Sequence, residues 1–343
     1  MRTGFIVPGV PEPSFIHLGR SRQGHISDDT IGLPCKSHAG YGRKGSVLND
    51  SSTVGSLRTA PETVRVPDTG ESQMTSAAES SFGSKPKVVV IMPAYNAAKT
   101  LRMTYTALPH DRVDLVLLVD DGSSDATVEI AQQLNLELFI HNRNYGYGAN
   151  QKTCYAEAIK ANADIVVMVH PDYQYDPTCL PQIIEPLERG EADVVLGSRL
   201  MSVSPMKHGM PWWKYVGNRV LTIVENAAFG LHLSEYHTGY RAFSREVLET
   251  INFQINADGF IFDQEVMAQI VDAGFRVAEV PVPTRYFPEA SSASFIDSSR
   301  YGLGILWLVF RYRLHRSGLM RQNKFQSLRR RYTKVERAPA RPS

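Results

Sequence analysis

Apolar and polar positions along this chain follow three regimes. Up to about residue 85 no apolar pattern is sustained. From Lys87 short apolar runs alternate with helical periodicity, and after Gly197 that alternation loosens. Val88-Val89-Val90-Ile91-Met92 is continuously apolar, the mark of a strand buried on both faces in a parallel sheet. Further strands are predicted over 113–119, 136–140, 165–169 and 192–196. Helices are predicted over 98–108, 124–134, from a Gly/Asn loop at 142–150 through 161, and near 181–188. Ser124 is placed to cap the second of these helices. Strands alternating with helices predict an α/β fold: a mainly parallel sheet, right-handed crossovers and helices on both faces. Beyond Gly197 the pattern predicts helices over 212–229, 244–251, 262–273 and 297–315, with strands over 240–243 and 277–282. No internal repeat is evident. This second half reads as an elaboration of the same domain.

Composition sharpens the picture at the ends. In 1–85 Gly, Pro and Ser supply roughly a third of the residues, too little apolar surface to offset the entropy of ordering. That segment is expected to be a disordered extension. Met74 offers a second start just before the folded region, so a flexible leader and an upstream mis-start are both open readings. Pro8, Pro11 and Pro13 break the only N-terminal apolar stretch, which argues against a signal peptide. The longest apolar candidate, 301–310, is about half of the ~20 residues a bilayer span needs. Cys35, Cys154 and Cys179 lie far apart, which suits a reducing, cytoplasmic setting and excludes a disulfide scaffold.

The net charge of +2 hides an uneven distribution. Residues 1–85 carry +1 and 311–343 carry +10, leaving −9 for 86–310. An acidic domain of 86–310 is therefore followed by a basic tail of 311–343. The acidic domain opposes a broad nucleic-acid footprint, and no nucleic-acid partner is expected.

The polar residues that stand out sit where strands end, the edge at which open α/β sheets bind ligands. The first predicted strand ends in Pro93-Ala94-Tyr95-Asn96 and the second in Asp120-Asp121-Gly122-Ser123. The fourth ends in His170-Pro171-Asp172-Tyr173-Gln174 and the fifth in Gly197-Ser198-Arg199. Any one of these has a bland reading, such as Asp-Gly-Ser as an ordinary turn. Four in chain order supply an aromatic, carboxylates, a candidate metal cluster and a guanidinium.

In this order and spacing the chain resembles glycosyltransferase family 2, the inverting enzymes with the GT-A fold. The resemblance covers roughly 86–290. Thr238-Gly239-Tyr240-Arg241 and Gly259-Phe260-Ile261-Phe262-Asp263-Gln264-Glu265 narrow it toward the branch of dolichyl- and polyprenyl-phosphate mannose and glucose synthases. The resemblance implies transfer of a hexose from a UDP- or GDP-sugar. It divides the domain into a nucleotide-binding half, 86–199, and an acceptor-side half, 200–310. Pro93, Tyr95, Asn96, Asp120, Asp121 and Gly148 would hold the donor, with Tyr95 stacked on the base and Asp121 hydrogen-bonded to it. Where the family has Asp-x-Asp, this chain has His170 and Asp172. Asp172, His170 and Gln174 would hold Mn²⁺ or Mg²⁺, and imidazole favours Mn. The family often has Glu after Pro-x-Tyr-Asn, and here Ala97 follows.

By the same resemblance Arg199, Lys214 and Arg219 would bind an acceptor phosphate, and Arg241 the donor diphosphate; surface ion pairs are the bland reading of each. Asp172, Arg241 and Asp263 are the expected catalytic residues. Asp263 would be a general base if the acceptor is a hydroxyl, and a positioning group if the acceptor is an anionic polyprenyl phosphate. The loop 142–150 matches neither a Walker loop nor a Rossmann fingerprint, and its glycines read equally as a turn. The apolar and arginine-rich stretch from 300 to 343 predicts peripheral contact with an anionic membrane at its cytoplasmic face, against the alternative of a packed helix with a solvated tail. The preferred reading is therefore a hexosyltransferase acting on a lipid phosphate. Its rivals are a glycosyltransferase with a glycan or other hydroxyl acceptor, and a nucleotide-sugar-binding protein without turnover. A sugar-1-phosphate nucleotidyltransferase would need a Gly-rich, Arg-containing loop after the first strand, which Pro-Ala-Tyr-Asn is not.

Overall fold

The structure is a computed structural model that describes residues 85–201, 210–284 and 295–328, of which 295–297 are described by backbone alone. The expectations for 1–84, for Met74 and for the basic run 329–343 lie outside the described residues.

Seven strands form one sheet: β1 (Val88–Ala94), β2 (Leu115–Asp120), β3 (Glu137–Ile140), β4 (Ile165–Met168), β5 (Val194–Ser198), β6 (Arg241–Ser244) and β7 (Val277–Pro281). Their order is β3-β2-β1-β4-β6-β5-β7. All seven residues of β1 are buried, as its unbroken apolar run requires. Pairing is parallel from β3 through β4, with Val90 opposite both Val116 and Val167. Pro93 lacks an N–H and lies past the last β4 partner, where none is needed.

Among the described residues the α-helices are α1 (Leu101–Thr106), α2 (Thr127–Gln133), α3 (Tyr147–Lys160), α4 (Leu180–Glu188), α5 (Trp212–Phe229), α6 (Arg245–Thr250), α7 (Phe262–Ala273) and α8 (Phe295–Arg316). Alternate residues of β1 point to opposite sides, so each side has its own core. Val88, Val90 and Met92 join Leu101, Ala131 and Ile183 of α1, α2 and α4. Val89 and Ile91 join Tyr155, Val247, Val266 and Ile305 of α3, α6, α7 and α8, with Leu221 and Val224 of α5 against them.

Three details depart from the sequence reading. β6 is antiparallel and lies between β4 and β5, with Arg241 opposite both Met168 and Leu196. The strand from the second half therefore completes the centre of the sheet instead of extending its edge. Ser124 does not cap α2: its N–H donates to Asn96 Oδ1 at 2.9 Å. Asp125 Oδ1 accepts from the Thr127 N–H at 3.1 Å and does that work. Gly148 and Asn150 stand in the first turn of α3, not in a loop.

Candidate active site

Adjacent strands are about 5 Å apart, so the C-terminal ends of β2, β1 and β4 put Asp120-Asp121, Tyr95-Asn96 and His170 to Gln174 on one edge. Tyr95 is 53% exposed, its ring free for a ligand to cover. Asn96 takes a left-handed backbone (φ 52°), which Asn tolerates better than most residues. Its N–H donates to Ser123 Oγ at 2.8 Å and its Oδ1 accepts from the Ser124 N–H, stapling the β1 and β2 loops together.

The two aspartates divide the work. Asp121 is buried and fully engaged: Oδ1 accepts from the Tyr145 N–H (2.9 Å) and meets His141 Nδ1 (2.7 Å), while Oδ2 accepts from the Gly146 N–H (2.9 Å). Asp120 Oδ2 accepts from the Ser123 N–H at 2.9 Å. Asp120 Oδ1 is buried without a hydrogen-bond partner among the described residues. A buried carboxylate oxygen left unpaired points to a missing donor. Asn150, which sequence reasoning missed, donates from Nδ2 to the carbonyls of Ala94 (3.2 Å) and Val119 (3.1 Å) where β1 and β2 diverge. Gly148 is placed differently from its expected phosphate contact. Its N–H donates to the Asp258 carbonyl at 2.6 Å, and a Cβ there would lie 2.5 Å from the Ala257 carbonyl oxygen. This glycine lets α3 pack on the 257–258 backbone.

At the end of β4, Asp172 Oδ1 accepts from the Gln174 N–H at 3.0 Å around Tyr173, whose φ is 57°. His170 stacks on Tyr147 (5.6 Å between centroids, 15° between planes) and lies over Gly239. A Cβ on Gly239 would stand 2.5 Å from the imidazole Cδ2, so the ring's position requires glycine there. Burial lowers the His170 pKa; Asp172 and Asp263 oppose this without reversing it. The ring is therefore neutral at neutral pH, the form that ligates metals. Among the described residues no group of three or more His, Cys, Asp or Glu side chains converges on one point. Asp172, His170 and Gln174 share the loop that follows β4.

Tyr147 connects this loop to α7. Its hydroxyl donates to Asp263 Oδ2 at 2.8 Å and lies 3.4 Å from His170 Nε2. Gln151, one turn along α3, donates from Nε2 to Asp263 Oδ1 at 3.1 Å. Burial, and after it Asp263, push the Tyr147 phenol well above its ordinary pKa, so it stays a donor. Arg241 is 1% exposed and 3.5 Å from Asp263 Oδ2. Its guanidinium donates to the carbonyls of Thr238 (2.7 Å), Tyr236 (3.0 Å) and Asp263 (3.3 Å). Burial, the largest single influence, lowers its pKa, but Asp263 together with Tyr147, Tyr155 and Tyr301 outweighs it and the net shift is upward. These donors hold the backbone frame behind the site.

Arg199 Nε donates to Glu235 Oε1 at 2.9 Å, its Nη2 bonds Glu235 Oε1 and the His237 carbonyl, and its N–H reaches Glu235 Oε2 at 3.0 Å. Glu235 is fully buried and also accepts from Asn218 Nδ2 at 2.8 Å. The 234–235 loop is fixed in turn by Glu279 of β7, which accepts from the Ser234 N–H (2.6 Å) and the Glu235 N–H (3.1 Å). Lys214 has its pKa lowered by burial and then by Arg199. Arg219 is exposed one turn further on, with Nη1 3.3 Å from the Ser234 carbonyl. Beside them opens a cleft lined by Tyr147, His237, Thr238, Phe260, Asp263 and Tyr301, among others. His237, also missed from sequence, has Nε2 3.2 Å from Glu225 Oε2, an ion-pair distance without hydrogen-bond alignment.

This sheet and the helices on its two sides have the GT-A type of fold. Residues 89–251 match the model of glycosyl transferase family 2. It is 28% identical over 216 residues to the UDP-N-acetylglucosamine–dolichyl-phosphate N-acetylglucosaminyltransferase of Methanococcus voltae, covering 58% of this chain and 86% of that one. It is 26% identical over 204 residues to the polyprenol monophosphomannose synthase of Mycolicibacterium smegmatis, covering 57% and 76%. Among solved structures, glucosyl-3-phosphoglycerate synthase from Mycobacterium tuberculosis with phosphoglyceric acid superposes with a TM-score of 0.53 at 18% identity, over 66% of this chain and 80% of that one. The same enzyme with Mg²⁺ and UDP gives 0.51 at 18% identity, over 68% and 80%. At these identities the structures establish the fold.

Proposed function

We propose that this enzyme moves a hexose, with inversion, from a UDP- or GDP-sugar to a polyprenyl phosphate at the cytoplasmic face of a membrane, with 300–343 on the membrane side. The observation that carries the reading is Arg199, fixed by the buried Glu235 and bonded to the carbonyl of His237, which lines the cleft. A guanidinium held there suits an anionic acceptor, and fixing Arg199 through Glu235 orients its fork in advance. Relatives named for dolichyl and polyprenol phosphates support it.

In this reading 86–199 binds the nucleotide and 200–310 the acceptor. The Tyr95 ring stacks on the base. Asp121 holds the 145–146 loop, and Asp120 keeps one oxygen for the base or ribose. Asp172, His170 and Gln174 would hold Mn²⁺ or Mg²⁺ together with diphosphate oxygens. When bound, the cation neutralises charge on the departing diphosphate. An acceptor phosphate is already anionic, so no strong base is required. Asp263, with both oxygens engaged, positions Tyr147 and the cleft wall. Two features carry this over a hydroxyl acceptor: the Arg199 guanidinium beside His237, and an Asp263 already committed to two donors.

The test is incubation of the full chain with labelled UDP- and GDP-sugars and polyprenyl phosphate in Mn²⁺ or Mg²⁺, followed by lipid extraction. Label in the lipid fraction is expected, with Asp263→Asn retaining measurable turnover. Transfer confined to soluble hydroxyl acceptors, or abolished outright by Asp263→Asn in a folded protein, would overturn the reading.

A further inference from the structure

Helices α5 and α8 are apolar on two opposite faces. Their inner faces share one core: Leu221 and Val224 of α5 pack against the cluster that holds Ile305 and Leu308 of α8. Both helices therefore turn their outer faces away from that core. On α5 that outer face carries Trp212, Val216, Val220 and Ile223, a single helical stripe, with Trp212 71% and Ile223 63% exposed. On α8 it carries Leu303, Leu306, Trp307 and Phe310, with the Trp307 and Phe310 rings stacked at 5.6 Å. A helix apolar all round belongs in an interior, and a monomer in water rarely exposes so large a continuous patch.

The rim of the patch is cationic. Arg219 stands within the α5 stripe, and Arg300 and Arg313 bracket the α8 stripe, all three exposed. The only acids in the two helices are Glu225, which is buried, and Asp297 in the first turns of α8. Tryptophan and arginine around an apolar face form the pattern of a segment lying in a bilayer interface, with ring and guanidinium at headgroup level. No described helix is long and apolar enough to cross a membrane. The patch also adjoins the cleft, since Ser298 and Tyr301 line it from the start of α8.

We infer that the joint outer face of α5 and α8 seats this protein on an anionic phospholipid bilayer. The apolar stripes enter the acyl boundary and the arginines meet headgroup phosphates. A second copy on this face would set arginine against arginine, whereas an anionic leaflet complements the rim. The inference extends the proposed membrane contact to α5, which the sequence did not suggest. It rests on that reading only for the presence of a membrane and stands whichever acceptor is used.

The test is co-sedimentation of the full chain with vesicles of phosphatidylcholine, with and without phosphatidylglycerol, and free of polyprenyl phosphate. Binding is expected to be roughly tenfold or more stronger to the anionic vesicles. Ile223→Ser with Trp307→Ser, and separately Arg300→Gln with Arg313→Gln, should each weaken it by about tenfold or more, with unchanged melting curves because these side chains are exposed. Wild type that stays in the supernatant, or variants that bind as wild type does, would overturn the inference. So would a dimer in sedimentation equilibrium that Trp307→Ser dissociates in the absence of lipid. Vesicle binding with the stated dependences supports this surface even if detergent-dispersed polyprenyl phosphate accepts no sugar, an outcome that counts only against the proposed acceptor.

Discussion

Two arginine–aspartate pairs in this protein have the same chemistry and opposite settings. Arg276 at the start of β7 holds Asp193 bidentately, at 2.8 and 3.1 Å, on the surface. Arg241 in the centre of the sheet meets Asp263 at only 3.5 Å, with its donors on three backbone carbonyls. By geometry alone the first pair looks stronger. Burial reverses the ranking, because water replaces a lost surface partner and nothing replaces a lost partner in the core. The largest expected effect is therefore Arg241→Met, which leaves Asp263 buried without its counter-charge and strands the carbonyls of Tyr236 and Thr238. The cost is on the order of 3–5 kcal/mol in urea unfolding. Adding Asp263→Asn should recover part of that loss. No recovery would mean that the carbonyl bonds, and not the charge pair, give Arg241 its importance.

A large effect of another kind is expected at the exposed edge of the sheet, where Asp172 belongs to a turn and not to the core. Asp172→Ala should lower kcat by about 10²–10³-fold, the few kcal/mol that charge neutralisation on a diphosphate supplies. Its melting temperature should hardly move. Full activity in this variant would remove the metal assignment from the 170–174 loop. Between the two extremes stands Arg199, partly exposed and fixed by the buried Glu235. Arg199→Lys keeps the charge but loses the fork to Glu235 and the His237 carbonyl. The expected result is a rise of about tenfold in acceptor KM with donor KM unchanged. A rise in donor KM instead would move Arg199 to the nucleotide side.

The same contrast explains what the amino-acid order disclosed. The carboxyl edge of β1, β2 and β4 was legible because its parts are local. Val88 to Met92 is one uninterrupted apolar run, and the polar groups after β1, β2 and β4 follow their strands directly. What was not legible is held over long sequence distances. β6 pairs with strands some seventy-five and forty-five residues before it, and no local pattern gives its antiparallel direction. Nothing near Arg241 in the sequence shows that three carbonyls surround it. Tyr147 and Gln151 reach Asp263 across more than a hundred residues, yet their i, i+4 spacing on α3 was a usable signal that both face one way. Gly148 was read for what a glycine permits in a loop, whereas its place in a packed helix turn depends on the 257–258 backbone.

The smallest expected effect closes the comparison. Arg276→Ala removes a pair with good geometry from the surface, and at neutral pH its melting curve should be hard to separate from that of wild type. The pair can still be detected by its pH dependence. Hydrogen bonds from the Arg276 side chain, the largest influence, hold Asp193 below the ordinary carboxylate value of 3.8. The folded state thus binds protons at Asp193 less readily than the unfolded chain does. Whatever stability the pair contributes is fully present above pH 3.8 and is lost as pH falls through the lower folded value. The difference between wild type and Arg276→Ala should accordingly be constant from neutral pH down to about 4 and close below that. A gap that widened with acid would contradict the direction of the Asp193 shift. A gap at neutral pH as large as that of Arg241→Met would contradict the premise that burial, more than geometry, decides what an arginine–aspartate pair contributes here.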